Sequence, residues 1–143
     1  MIKTLLCFDY GSKRIGAAVG QTLTGTATPL QIINSHQNRP DWDKIRQLIE
    51  DWRPDAIVVG VPLKLDGTTQ DMTAAAAQFA RQLEGRFHLP VFGMDERLST
   101  FEAKERSGTT TDLDSIAAQA ILETWLAGYN NGLQTIQNGA NNE

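Results

Sequence analysis

Apolar positions along this chain fall into short runs broken by glycine, proline and charge, and the runs alternate between strand and helix spacing. Leu5-Leu6-Cys7-Phe8 ends on Asp9, a glycine turn follows, and a second small, apolar run returns, so residues 2–9 and 14–20 predict a β-hairpin. Residues 27–33 predict a third strand. Pro40 predicts the first residue of a helix ending near Trp52, with Ile45, Leu48, Ile49 and Trp52 on one face and Arg53-Pro54 as its stop. Residues 56–61, Ala-Ile-Val-Val-Gly-Val, are continuously apolar and short, as a strand covered on both faces should be. A helix from Ala74 to about Arg86 and a fifth strand over 90–94 follow. Two helices close the pattern, over about 100–106 and about 112–129, the second with Leu113, Ile116, Ala117, Ala120, Ile121 and Trp125 inward. The order βββαβαβαα predicts an α/β fold: a mixed five-stranded sheet, its first three strands an antiparallel meander, with helices on its faces.

Composition narrows the class. At 143 residues the chain fits one domain, over residues 1–130, and the Asn-, Gln- and Gly-rich stretch 131–143 has little to bury and predicts a flexible polar tail. No apolar run approaches the roughly 20 residues of a membrane span, and the N-terminus lacks a secretory pattern. The single cysteine, Cys7, excludes an internal disulfide, fits a reducing cytoplasm and reads as a small hydrophobe of the first strand. A net charge of −4 argues against non-specific coating of nucleic acid but leaves room for a local basic site. Lys13 and Arg14 lie in the hairpin turn, Lys64 in a later loop and Arg97 beside an acidic pair.

Three acidic features carry the candidate chemistry. Asp9 ends an apolar strand, where a carboxylate is costly to desolvate without a cation or hydrogen bonds. Asp95 and Glu96 follow the fifth strand, and Asp114 sits in the first turn of the last helix. Ligands of open α/β sheets gather outside the C-terminal strand ends, which Asp9 and Asp95-Glu96 occupy. Asp114 joins them if the last helix packs across that edge, although a helix dipole alone also favours an acid there. Carboxylates without histidine or cysteine partners suit a hard cation such as Mg²⁺ or Mn²⁺, and the isolated His36 and His88 offer no zinc spacing. Residue chemistry alone therefore points to a divalent-metal site in an α/β domain.

Four segments in order extend this reading: Phe8-Asp9-Tyr10-Gly11 with Arg14-Ile15-Gly16; Val59-Gly60-Val61-Pro62-Leu63 with Asp66-Gly67-Thr68 and Gln70; Asp95-Glu96-Arg97-Leu98-Ser99-Thr100; and Asp114 with Ala117-Ala118 and Ile121-Leu122. Together they resemble the YqgF/RuvX family over about residues 2–129. The resemblance implies an RNase H-like fold similar to that of the Holliday-junction resolvase RuvC. It also implies a bacterial cytoplasmic nuclease, acting either on the 5′ end of precursor 16S rRNA in ribosome biogenesis, with the pre-ribosomal small subunit as partner, or on branched DNA. By motif, Asp9, Glu96 and Asp114 become the catalytic acids, and these with Asp95 the ligands of one or two Mg²⁺ or Mn²⁺ ions. Lys13, Arg14, Arg97 and Lys64 become substrate contacts, mostly to phosphates.

One departure concerns the segment before Asp114. Many family members carry a longer basic stretch there, whereas here Ser107-Gly108-Thr109-Thr110-Thr111 reaches Asp112 with no lysine or arginine after Arg106. That shortening leaves a non-catalytic RNA-binding or ribosome-assembly factor as an alternative. A third class, the ATP-handling fold of actin and sugar kinases, shares Asp-x-Gly after a first strand but needs two lobes. The residues do not choose RNA over DNA, nor monomer over homodimer.

Overall fold

A computed structural model of the chain describes residues 2–11, 13–36, 39–61, 70–95 and 113–130. The opening hairpin forms as predicted: β1 (Thr4–Asp9) pairs antiparallel with β2 (Arg14–Gln21), with Asp9 opposite Gly16. Gly11 is required in the connecting turn, because a Cβ there would collide with the Arg14 carbonyl oxygen. The meander then departs from the single strand expected over 27–33. Two strands occupy this region, β3 (Thr26–Pro29) and β4 (Ile33–His36), and a short β5 (Arg39–Pro40) pairs with β4. The break lies where β2 changes partner: Ala18–Gln21 pair with β3, and Arg14–Ile15 pair with β4.

Pro40 therefore lies in a strand, and α1 (Trp42–Trp52) starts two residues later than expected. Asp41 is its cap, accepting from the Lys44 N–H at 3.2 Å, because a carboxylate satisfies a first-turn donor that proline cannot. Ile45 is buried and Leu48 and Ile49 are partly buried, but Trp52 is 42% exposed. The last turn of α1 ends beside it in a left-handed Arg53, whose N–H returns to the Ile49 carbonyl. At the other end Trp42 packs on Phe79, and the Arg86 guanidinium covers its ring at 4.1 Å.

The remaining elements are β6 (Ala56–Val61), α2 (Gln70–Phe87), β7 (Val91–Asp95) and α3 (Leu113–Gly128). Among the described residues the strands form one seven-stranded sheet, in the order β5-β4-β2-β1-β6-β7 with β3 also on β2, rather than five strands. β6 lies parallel to both β1 and β7. The helix expected over 100–106, the loop around Lys64 and the tail 131–143 fall outside the described residues.

Strand alternation divides the core between the two faces. Leu6 and Phe8 of β1 and Ile57 and Val59 of β6 meet α1 and α2 through Ile45, Phe79 and Leu83. Leu5, Cys7, Ala56 and Val58 face α3 through Ala118, Ile121, Leu122, Trp125 and Leu126. β6 is thus covered on both sides, as its unbroken apolar run predicts. Each large side chain fully buried here contributes about 1.5–3 kcal/mol of transfer free energy.

The start of β1 is tied to β6 by Asp55. Its carboxylate accepts from the Lys3 and Thr4 N–H groups at 2.8 and 3.1 Å, while its own N–H donates to the Thr4 carbonyl. Those N–H bonds hold the Asp55 pKa below its ordinary 3.8. A depressed carboxylate pKa stabilises the fold above the unfolded value, and the effect fades as pH falls through the lower folded value. Asp55→Ala is therefore expected to lower the urea midpoint at pH 7. Its deficit against the unsubstituted protein should shrink below about pH 3.8, in denaturation curves taken from pH 7 to pH 2.

Candidate functional site

Asp9 ends β1 and is partly buried, between Gly16 of β2 and Gly60 of β6. By alternation it shares a sheet face with Leu5 and Cys7, the face that α3 covers. Gly60 is opposite Met94, and the backbone of Asp95 ends β7 one residue further on, opposite Val61. Asp9 and Asp95 thus belong to neighbouring rows at one C-terminal edge of the sheet.

Asp114 reaches that edge because α3 begins there. A Cβ on Gly16 would overlap the Asp114 carbonyl and crowd the Ser115 nitrogen, so only glycine lets the first turn of α3 lie on β2. Gly16 is also the residue paired with Asp9, so it is the shared neighbour of both acids. The gap between the two partner segments of β2 is closed by Ser115, whose buried hydroxyl accepts from the Ala17 N–H at 3.2 Å. One and two turns further along α3, Gln119 donates to the Ala27 carbonyl and Glu123 accepts from the Ala27 N–H. Ser115, Gln119 and Glu123 make a polar stripe at a spacing of four that grips the backbone of β2 and β3.

This stripe corrects the inward face expected for the last helix. Ser115, Ala118, Ile121, Leu122, Trp125 and Leu126 are buried, while Ile116, Ala117 and Ala120 are only partly so. The helix is apolar around most of its circumference, so periodicity does not set its rotation; the hydrogen bonds to Ala17 and Ala27 do. A serine interrupting an apolar helix three residues before the buried Ala118 is the signal that could have marked the seat.

The Asp114 carboxylate meets a cation already in the chain. Arg14 Nε lies 2.8 Å from Asp114 Oδ2, with the two side chains 51% and 31% exposed. An ion pair so open to solvent contributes at most about 1 kcal/mol. Lys13 is exposed in the adjoining bend and forms no ion pair among the described residues. Tyr10, next to Asp9, turns its ring towards Phe79, 5.0 Å away, and burial pushes its hydroxyl pKa above 10.0. It stays protonated at neutral pH. Glu96, Arg97 and Lys64 lie outside the described residues, and among those described no cluster of three or more metal-ligating side chains forms.

A sheet of this order, with acids at its C-terminal edge and a last helix crossing that edge, is RNase H-like. The chain superposes on T. thermophilus RuvC in complex with a Holliday junction substrate with a TM-score of 0.59 and 13% identity, over 90% of this chain and 96% of that one. It superposes on the Fowlpox virus resolvase, in complex with Holliday junction DNA, with a TM-score of 0.52 and 13% identity, over 87% and 97%. A family model described as "RuvX: Holliday junction resolvase" matches residues 3–128. Proteins of Pseudomonas putida and Azotobacter vinelandii, each named "Putative pre-16S rRNA nuclease", are 52% and 49% identical to it. The matches cover 87% of this chain in both cases, and 95% and 94% of those proteins. The chain belongs to the RuvX family.

Two substitutions test the seat of α3. Gly16→Ala must push the Asp114 backbone off β2, and the loss should exceed the usual overpacking range of about 1–3 kcal/mol, read from urea unfolding. Ser115→Ala leaves the Ala17 N–H buried and unsatisfied. It should lower stability by about 1–3 kcal/mol in the same assay.

Proposed function

We propose that this protein is a cytoplasmic, divalent-cation-dependent nuclease that hydrolyses phosphodiester bonds, and that its substrate is the 5′ end of precursor 16S rRNA. The observation that carries this reading is that Gly16 is both the strand partner of Asp9 and the seat of the Asp114 backbone, at one C-terminal edge of the sheet. The donor set fits a hard cation: these are carboxylate oxygens, and the only cysteine, Cys7, is buried in the core. Asp9, Asp114 and the Asp95-Glu96 pair would hold one or two Mg²⁺ or Mn²⁺ ions. Bound there, the cation supplies a hydroxide nucleophile near neutral pH and positive charge for the leaving oxygen.

The chain's own groups do the rest. Gly16 and Ser115 fix the backbone of Asp114, so that carboxylate is positioned before substrate arrives. Lys13 in the turn next to Asp9 and Arg14 at the start of β2 contact flanking phosphates without reading sequence, and Arg97 and Lys64 extend that role. Tyr10, protonated and packed on Phe79, supports the turn and takes no proton. The names of the relatives at about 50% identity favour ribosomal RNA as the substrate. The family description and the likeness to RuvC favour four-way DNA junctions as the second reading. No helix among the described residues is long and apolar enough to cross a membrane.

The test is cleavage by the purified chain, with Mg²⁺ or Mn²⁺, of a precursor 16S rRNA 5′ fragment and of a four-way DNA junction. Cleavage of the RNA is expected, lost on chelation. Asp9→Asn and Asp114→Asn should each slow it by about 100-fold or more, equivalent to ~2.7 kcal/mol, with an unchanged circular dichroism spectrum. Cleavage of the junction alone moves the function to the second reading. No cleavage of either substrate rejects the nuclease reading, and cleavage that survives Asp9→Asn rejects the site.

A further inference from the structure

We infer that Arg14 is a built-in placeholder at Asp114: it pairs with the carboxylate that a divalent cation would take and, when a cation binds there, is released to take a substrate phosphate. This rests on the metal-site reading above. The first support is where Arg14 makes its contact. Its Nε, 2.8 Å from Asp114 Oδ2, occupies an oxygen that a cation held by Asp114 would compete for. Its other nitrogens make no second hydrogen bond or ion pair among the described residues, and they are the donors a phosphate would take.

The second support is that the fold does not depend on this ion pair. The Asp114 backbone is held by its seat on Gly16 and by the Ser115 bond to Ala17. The Arg14 backbone is held by pairing with Asn34 and, one residue earlier, by the Ser35 N–H bond to the Lys13 carbonyl. Both side chains are substantially exposed, 51% and 31%. The long Arg14 side chain can therefore leave without disturbing β2 or α3, and a divalent ion attracts the carboxylate with twice the charge of the guanidinium.

The consequence is coupling. A cation that displaces Arg14 frees a phosphate-binding group beside the turn, so cation and nucleic acid should tighten each other's binding reciprocally. Competition also sets the sign for the cation alone: removing the guanidinium should improve cation affinity. Mere loss of a positive charge would do the same through space, and Lys13, adjacent and exposed but without a carboxylate partner among the described residues, is the control for that effect.

The experiment is Mn²⁺ titration of the whole chain by calorimetry, without nucleic acid, for the unsubstituted protein, Arg14→Gln and Lys13→Gln. Arg14→Gln should tighten Mn²⁺ about threefold to fivefold, the scale of a displaced surface ion pair, and Lys13→Gln by less than about twofold. The Arg14 Nε–H resonance of the unsubstituted protein should shift on addition of Mg²⁺. Equal tightening in both variants, or weaker binding in Arg14→Gln, overturns the placeholder role while leaving the metal site standing. Absence of Mn²⁺ binding in all three proteins overturns the metal site itself, and this inference with it.

Discussion

The seat of α3 on β2 is the contact on which the site depends. A helix packed on a sheet normally keeps its backbone well away from the strands, with side chains filling the space between. Here Gly16 has no side chain, and the first turn of α3 comes down onto the strand itself. The approach leaves a buried N–H on Ala17 that no strand can reach, and the Ser115 hydroxyl satisfies it. Gln119 and Glu123 repeat the same solution on Ala27, so one edge of the helix is fixed by hydrogen bonds while its other side packs through Leu122, Trp125 and Leu126.

That contact brings Asp114 to the strand residue that pairs with Asp9. Asp9 and Asp114 are more than a hundred positions apart in the chain, yet both flank Gly16. Bringing carboxylates together raises their mutual repulsion unless a positive charge intervenes. Arg14 supplies one at the start of the same strand, through a contact exposed enough to exchange. In a protein of net charge −4, this places a positive charge directly on the Asp114 carboxylate.

Much of this was legible beforehand. The Leu5–Phe8 run, the glycine turn and the Ile15–Gly20 return specified the hairpin, because strand alternation and turn chemistry are local. The continuous run 56–61 specified a strand covered on both faces for the same reason. Where the elements differ from that expectation, one cause is long-range and two are local caps and ends. The region 27–33 divided because β2 changes partners around Ala17. Asp41 displaced Pro40 as the start of α1 because a carboxylate cap outweighs proline's fixed φ. Trp52 stayed half outside because α1 ends beside it.

The sequence by itself determined the α/β alternation, the position of Asp9 at a strand end and, through four ordered motifs, the family. It could not determine which face of the last helix turns inward, since a helix apolar on nearly every side has no periodicity to choose by. Nor could it pair Arg14 with Asp114, because nothing local connects residues a hundred positions apart. Only tertiary structure decided both, by a backbone contact that requires the absence of a Cβ at position 16 and a hydroxyl at position 115.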